Sequence, residues 1–197
     1  MSKRDKNCRN LSDQGDFRFL GKGHNGEVYL LPDGKVVKIS YNIKNFISEC
    51  SILEKVNGNK YFPRVYETGL NYMIRDYVKG EPLFSYLNKN GMNRKLAEEI
   101  IDMLKEFKKL KFSRIDIRCK DIFVKEDGSI MIIDPKKSYS MERSFPKHLS
   151  KGFYKMGVLD TFLDVLKSYD DKLYKEWNES INEYICTLKD SIDEIQD

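Results

Sequence analysis

The sequence predicts an α+β fold in two parts: a small antiparallel sheet carrying one helix, then a mainly helical part. Three observations lead there. A glycine-rich turn, Gly21-Lys-Gly-His-Asn-Gly26, is followed at once by strand-like residues rather than by a helix. Between Asn42 and Asn57 the apolar period lengthens to helical spacing. Past Lys79-Gly-Glu-Pro82 that longer spacing dominates.

The elements follow in chain order. Residues 1–16 are polar and read as a flexible arm. Phe17-Arg-Phe-Leu20 alternates and leads into the glycine turn. Glu27–Leu31 reads as a strand, Pro32-Asp-Gly34 as a tight turn and Lys35–Ser40 as the partner strand. Ile43, Phe46, Ile47, Cys50 and Leu53 then mark a helix, which Gly58 closes. Strands follow near 64–67 and 72–77. The break at Lys79–Pro82 divides one domain, 17–197, into lobes at 17–78 and 79–197. Residues 83–87 form a short helix and 93–111 a long one, with Leu96, Ile100, Leu104 and Phe107 as its buried stripe. Ile122-Phe-Val124 and Ile130–Ile133 flank Asp127-Gly128 as a hairpin. Pro146 suits the first turn of a helix reaching about Lys167. Leu173, Trp177, Ile181, Tyr184, Leu188, Ile192 and Ile195 make the apolar stripe of the tail.

Composition narrows the classes. A hydrophobic fraction of 40% in 197 residues supports a core and excludes a wholly disordered chain. A net charge of +4 is too slight to argue for nucleic acid, and no such partner is expected. Four cysteines, at 8, 50, 119 and 186, show no CxxC and fit neither a disulfide framework nor a zinc ribbon. The two histidines, His24 and His148, leave little room for a His-rich metal site or a Ser–His–Asp triad. No apolar run approaches the ~18 residues of a membrane span, and the charged start is no secretory signal. A soluble, cytoplasmic protein without a membrane partner is expected.

Gly21, Gly23 and Gly26 spell G-x-G-x-x-G. Such a loop lets backbone amides approach phosphates without side-chain obstruction. A dinucleotide fold needs a helix next. The strand found instead favours a two-stranded flap over a nucleotide, with Val28 covering the base. Lys38, in Val36-Val-Lys-Ile39, reads by itself as the solvent side of an alternating strand. Glu49 lies on or near the apolar stripe of the following helix and calls for a cation, for which Lys38 is the natural partner. Asp116, Asp121 and Asp134 read one by one as turn residues. Together, with the last two at the ends of hairpin strands, they form a convergence of carboxylates suited to a hard divalent cation.

In this order and spacing the chain resembles the protein-kinase superfamily, and within it the short bacterial Ser/Thr kinases of Gram-positive bacteria. The family's glycine loop, strand lysine, helix glutamate, catalytic aspartate with a metal ligand five residues on, and metal-loop aspartate correspond to Gly21–Val28, Val36–Lys38, Glu49, Asp116 with Asp121, and Asp134. The segments Ser144-Phe-Pro-Lys-His-Leu149 and Tyr174-Lys-Glu-Trp177 add a weaker likeness. The resemblance covers roughly residues 17–135. It implies a bilobal fold with ATP and magnesium, or manganese, in the cleft. Val36 then lines the nucleotide site, Asp76 and Val78 offer backbone groups to adenine, and Phe123 lies under the base. Asp116 orients or deprotonates the acceptor hydroxyl, Arg118 contacts the transferring phosphate, and Asp121 and Asp134 hold the metal.

There are departures. Arg114 and Ile115 stand where the family has His and Arg, Asp121 replaces Asn, and the metal loop reads Asp134-Pro-Lys. Arg75 stands at the position guarding the base pocket. Ile115 cannot dock a phosphorylated loop, so Ser138, Tyr139, Ser140 and Ser144 are expected to be accessible but dispensable. The expected function is transfer of the ATP γ-phosphate to a hydroxyl of an unknown protein substrate. The alternatives are a pseudokinase, acting as a nucleotide-binding or interaction module, and a small-molecule kinase.

Overall fold

The computed structural model describes residues 17–193, with side chains through Lys189. The arm expected at 1–16, Cys8, and the tail positions Ile192 and Ile195 lie outside the described side chains. The chain divides into two units, residues through Val78 and residues from Lys79 on.

In the first unit, β1 (Arg18–Gly23), β2 (Gly26–Leu30), β3 (Lys35–Ser40), β4 (Val65–Thr68) and β5 (Tyr72–Asp76) form one sheet in the order β1-β2-β3-β5-β4. All its pairs are antiparallel. The β2–β3 turn is set by local chemistry. Pro32 follows the turn's first residue, Gly34 takes φ +82 and donates to the Leu31 carbonyl at 3.0 Å, and Asp33 Oδ1 accepts from the Lys35 amide at 3.1 Å. Helix α1 (Ile43–Lys55) is capped by Asn42, whose side chain accepts from the Asn45 amide at 3.1 Å. Its buried face carries Phe46, Glu49, Cys50 and Leu53, whereas Ile43 and Ile47 are exposed. The face is thus rotated from the one the apolar spacing predicts, because it turns Glu49 inward.

The second unit contains a three-stranded sheet and five helices among its described residues. β6 (Glu81–Pro82), β7 (Ile122–Val124) and β8 (Ile130–Ile132) pair in that order. The β7–β8 turn repeats the device of the first unit, with Gly128 at φ +81 donating to the Lys125 carbonyl at 2.9 Å. The helices are α2 (Leu83–Asn90), α3 (Arg94–Lys109), α4 (Lys147–Lys155), α5 (Leu159–Tyr169) and α6 (Asp171–Asp193). The core packs α3, through Ile100, Ile101, Leu104 and Phe107, with Phe162 and Leu166 of α5 and Trp177 and Ile181 of α6. The Phe153 and Phe162 rings meet at 4.9 Å between α4 and α5.

Two helical expectations need correction. The helix from Pro146 to Lys167 is two helices. Gly157, at φ +66, donates to the Tyr154 carbonyl, and Val158 donates to that of Phe153, each at 3.0 Å. That pair of bonds is the Schellman stop, which needs a left-handed residue and so favours glycine. In α6 the buried stripe is Leu173, Trp177, Ile181 and Ile185, an unbroken i+4 row, while Tyr184 and Leu188 are half-buried. No described helix is long and apolar enough to cross a membrane.

Gly26 is the glycine that the sheet needs. A Cβ built there lies 2.0 Å from the Ile39 carbonyl oxygen, whereas at Gly21 and Gly23 it meets nothing within 4 Å. Gly26→Ala is therefore expected to lower stability in urea melts by about 1–3 kcal/mol, the usual range for overpacking. Gly21→Ala and Gly23→Ala should stay within about 0.5 kcal/mol of wild type.

Candidate functional site

The first unit places its candidates around β3. Val36 and Lys38 share one face of β3 and are buried, as is Val37 on the other face. Lys38 stands opposite Val28 of β2 and the fully buried Met73 of β5, and Gly21 of the glycine turn stands opposite Val28. His24 and Asn25 alone link the paired Gly23 and Gly26. Lys38 is not on the solvent side of its strand. Its residue surface is 8% exposed, and its Nζ donates to both carboxylate oxygens of Glu49, each at 2.6 Å. Burial of Glu49 is why α1 shows an unexpected face. Arg75 is also buried, paired across the sheet with Val36 and Val65. Asp76 joins β4 to β5. Its carboxylate accepts from the Arg64 amide at 2.9 Å and the Tyr66 hydroxyl at 2.8 Å, and its own amide donates to the Arg64 carbonyl at 3.0 Å. That amide is committed to the sheet, which leaves the carbonyl as the backbone group Asp76 would offer a ligand. Val78 closes the unit as a buried residue.

The second unit holds the aspartates. Asp116 lies between α3 and β7, with none of its side-chain surface exposed. Its Oδ1 accepts from the backbone amides of His148 at 2.9 Å and Leu149 at 3.4 Å, in the first turn of α4. Its Oδ2 meets the His148 Nδ1 and lies 3.8 Å from the Arg114 guanidinium. Arg114 donates also to the Lys136 carbonyl at 2.9 Å, tying this segment to the stretch after Asp134. Asp121 accepts from Arg118 Nε at 2.9 Å, and Asp134 pairs with Lys136 Nζ at 2.5 Å. The Ile133 amide donates to the Asp121 carbonyl at 3.0 Å, so Asp121 and Asp134 flank one end of the β7–β8 hairpin. Phe123 sits in β7, half-buried, opposite Pro82 and Met131.

The expected convergence of three carboxylates is not formed: among the described residues no group of three or more His, Cys, Asp or Glu side chains is placed to hold a metal. Asp116 is turned instead to α4 and His148. Asp121 and Asp134 remain neighbours through the backbone, a pair of hard oxygen donors of the kind magnesium takes. Ser138 is 6% exposed and its carbonyl accepts from the Arg114 amide, so it is not the accessible hydroxyl expected. Tyr139 stacks edge-on against Phe112 at 4.9 Å, while Ser140 and Ser144 are exposed. Cys119, beside Asp116 in sequence and buried, has its thiol pushed up to about 12, chiefly by burial.

Sequence reasoning missed His148. With two histidines in the chain it left little room for a His-rich metal site or a Ser–His–Asp triad and gave His148 no role, although it singled out Ser144–Leu149. The signal was present as Pro146-Lys-His148 at a helix start, where amides and a ring face a carboxylate 32 residues away.

Removing one member of the Lys38–Glu49 pair breaks a buried ion pair. Glu49→Ala and Lys38→Ala are each expected to cost about 3–5 kcal/mol in chemical denaturation. Lys38→Met combined with Glu49→Leu should recover most of that loss, since well-packed apolar replacement of a buried pair is often neutral.

No protein-family model matches the chain. It is 25% identical over 126 residues to a protein of Bacillus subtilis (strain 168) named "Putative serine/threonine-protein kinase YrzF". The match covers 60% of this chain and 58% of that relative, less than two thirds of its length. The likeness is to a kinase-like protein, and the α+β architecture with its small antiparallel sheet and six described helices is compatible with a kinase-like fold.

Proposed function

We propose that the protein is an ATP-dependent phosphotransferase with a bilobal, kinase-like fold, transferring the γ-phosphate to a Ser or Thr hydroxyl of a protein. The observation that carries this reading is the buried ion pair of Lys38 with both oxygens of Glu49, on the strand after a glycine turn. A buried ion pair gives little net stability over apolar packing. A lysine held this way is available to a phosphate as a fixed cation.

The donor sets fit ATP and magnesium. In the first unit the open positions of Gly21 and Gly23 leave backbone room for phosphates, Lys38 would hold the α- and β-phosphates, and Val28 and Val36 would flank the base. In the second unit Asp121 and Asp134 would hold the metal, which when bound neutralises charge on the β- and γ-phosphates. Metal there would replace Arg118 and Lys136 as partners of the two carboxylates. Arg118, with 41% of its side chain exposed, would then be released toward the transferring phosphate.

A second reading, a nucleotide-binding module without transfer, is favoured by the enclosed carboxylate of Asp116, which has no exposed surface to meet a hydroxyl. One experiment separates the two. The full chain is melted with and without Mg-ATP, then incubated with γ-labelled ATP and a generic hydroxyl-bearing protein. The expected result is stabilisation of about 2.7 kcal/mol at a hundred times Kd, its loss with EDTA, and transfer of label that Lys38→Ala abolishes. Stabilisation without label would establish the binding module, and neither effect would remove the nucleotide reading altogether.

A further inference from the structure

The geometry points to His148 as the group that takes the proton of the acceptor hydroxyl, with Asp116 as the residue that positions it; this rests on the phosphotransferase reading. Asp116 cannot do the task itself in this arrangement. Its side chain has no exposed surface, one oxygen is filled by two backbone amides, and the other faces the His148 ring and the Arg114 guanidinium. His148, in contrast, has 41% of its side chain exposed.

One carboxylate grips His148 at two points: its backbone amide on Oδ1 and its ring Nδ1 on Oδ2. Backbone and ring are thereby fixed together. A carboxylate at Nδ1 selects the tautomer with the proton on that nitrogen, which leaves Nε2 of the neutral ring as a lone-pair acceptor. The first turn of α4 adds a second restraint. The Ser150 amide and hydroxyl both bind the Pro146 carbonyl at 2.8 Å, and Leu149 beside His148 is fully buried. The ring is thus held in a fixed orientation by the carboxylate, with 41% of its side chain exposed to meet a hydroxyl.

The step balances as follows. The acceptor oxygen bonds to the γ-phosphorus, and the bond from that phosphorus to the β–γ bridging oxygen breaks, its electron pair leaving with ADP. The hydroxyl proton passes to Nε2 of His148, and the imidazolium keeps its Nδ1 proton on Asp116. Solvent at the exposed face then takes the proton away.

The test uses the full chain as wild type, His148→Gln, His148→Gly and Asp116→Asn. Two readouts are taken: the shift in melting temperature with Mg-ATP, and transfer of labelled γ-phosphate to the protein itself or to casein. His148→Gln keeps an amide for Asp116 but no base, so it should retain the Mg-ATP shift and lose transfer by about a hundredfold or more, the usual range for a general base. Added imidazole should restore part of the rate in His148→Gly and none in Asp116→Asn. Transfer within a few-fold of wild type in His148→Gln would overturn the assignment and leave the phosphotransferase standing. Loss in His148→Gly with no imidazole rescue, matched by loss of the Mg-ATP shift, would make His148 structural only. A wild-type chain that shows no Mg-ATP shift, or binds without transfer, would overturn the phosphotransferase reading and this role with it.

Discussion

A carboxylate with no exposed surface organises the second unit. Asp116 bears a charge that has left water, and such a group must find donors or neutralise. Its partners come from two places in the sequence: Arg114 beside it, and the amides and ring of the segment that begins α4. To bring them in, the chain around Ser113–Ile115 pairs with Arg143, and Arg114 ties down Lys136 and Ser138. The stretch between Asp134 and α4 is therefore held along its length by backbone bonds. The long connection that a sequence reader treats as loop is the scaffold that delivers α4 to the aspartate.

The first unit obeys a similar constraint with both signs of charge. Lys38 and Glu49 are eleven residues apart, on a strand and on the helix after it, and neither is tolerable alone at this burial. Their pairing sets the rotation of α1 about its axis. Phe46, Cys50 and Leu53 follow Glu49 inward, while Ile43 and Ile47 are carried to the surface. An apolar count gives no reason to expose two isoleucines. The burial of one ion pair does, because turning the helix to hide them would move Glu49 away from the lysine.

What was legible in the sequence was what local chemistry decides. Pro32–Gly34 and Asp127–Gly128 mark their turns because a left-handed glycine and a short capping side chain act within four residues. Both hairpins and the long α3 follow from such local signals, and the Lys38–Glu49 partnership, eleven residues apart, from a carboxylate on an apolar stripe that calls for a cation. The break at Gly157 was also written locally, but apolar residues continue in register on both sides and masked it. The tail shows the same limit: Tyr184 and Ile185 are adjacent, and packing rather than composition buries the second. Asp116 was legible as a residue of interest but not as an enclosed one. Its partners lie 32 and 33 residues away, and nothing in the motif itself announces them.

The partners of the three aspartates differ in kind, and the difference bears on chemistry. Two of Asp116's four contacts are backbone amides of a helix start, which cannot leave without unwinding α4. Its partners are a feature of the fold itself. Asp121 meets the Arg118 side chain and Asp134 the Lys136 side chain, with 41% and 33% of those side chains exposed and 11% and 17% of the carboxylate side chains. A dication offers both carboxylates a stronger partner at no cost to the backbone. The fold thus separates one carboxylate held by backbone amides from two met by side chains, and under the proposed function that division suits Asp116 to orientation and Asp121 with Asp134 to a metal.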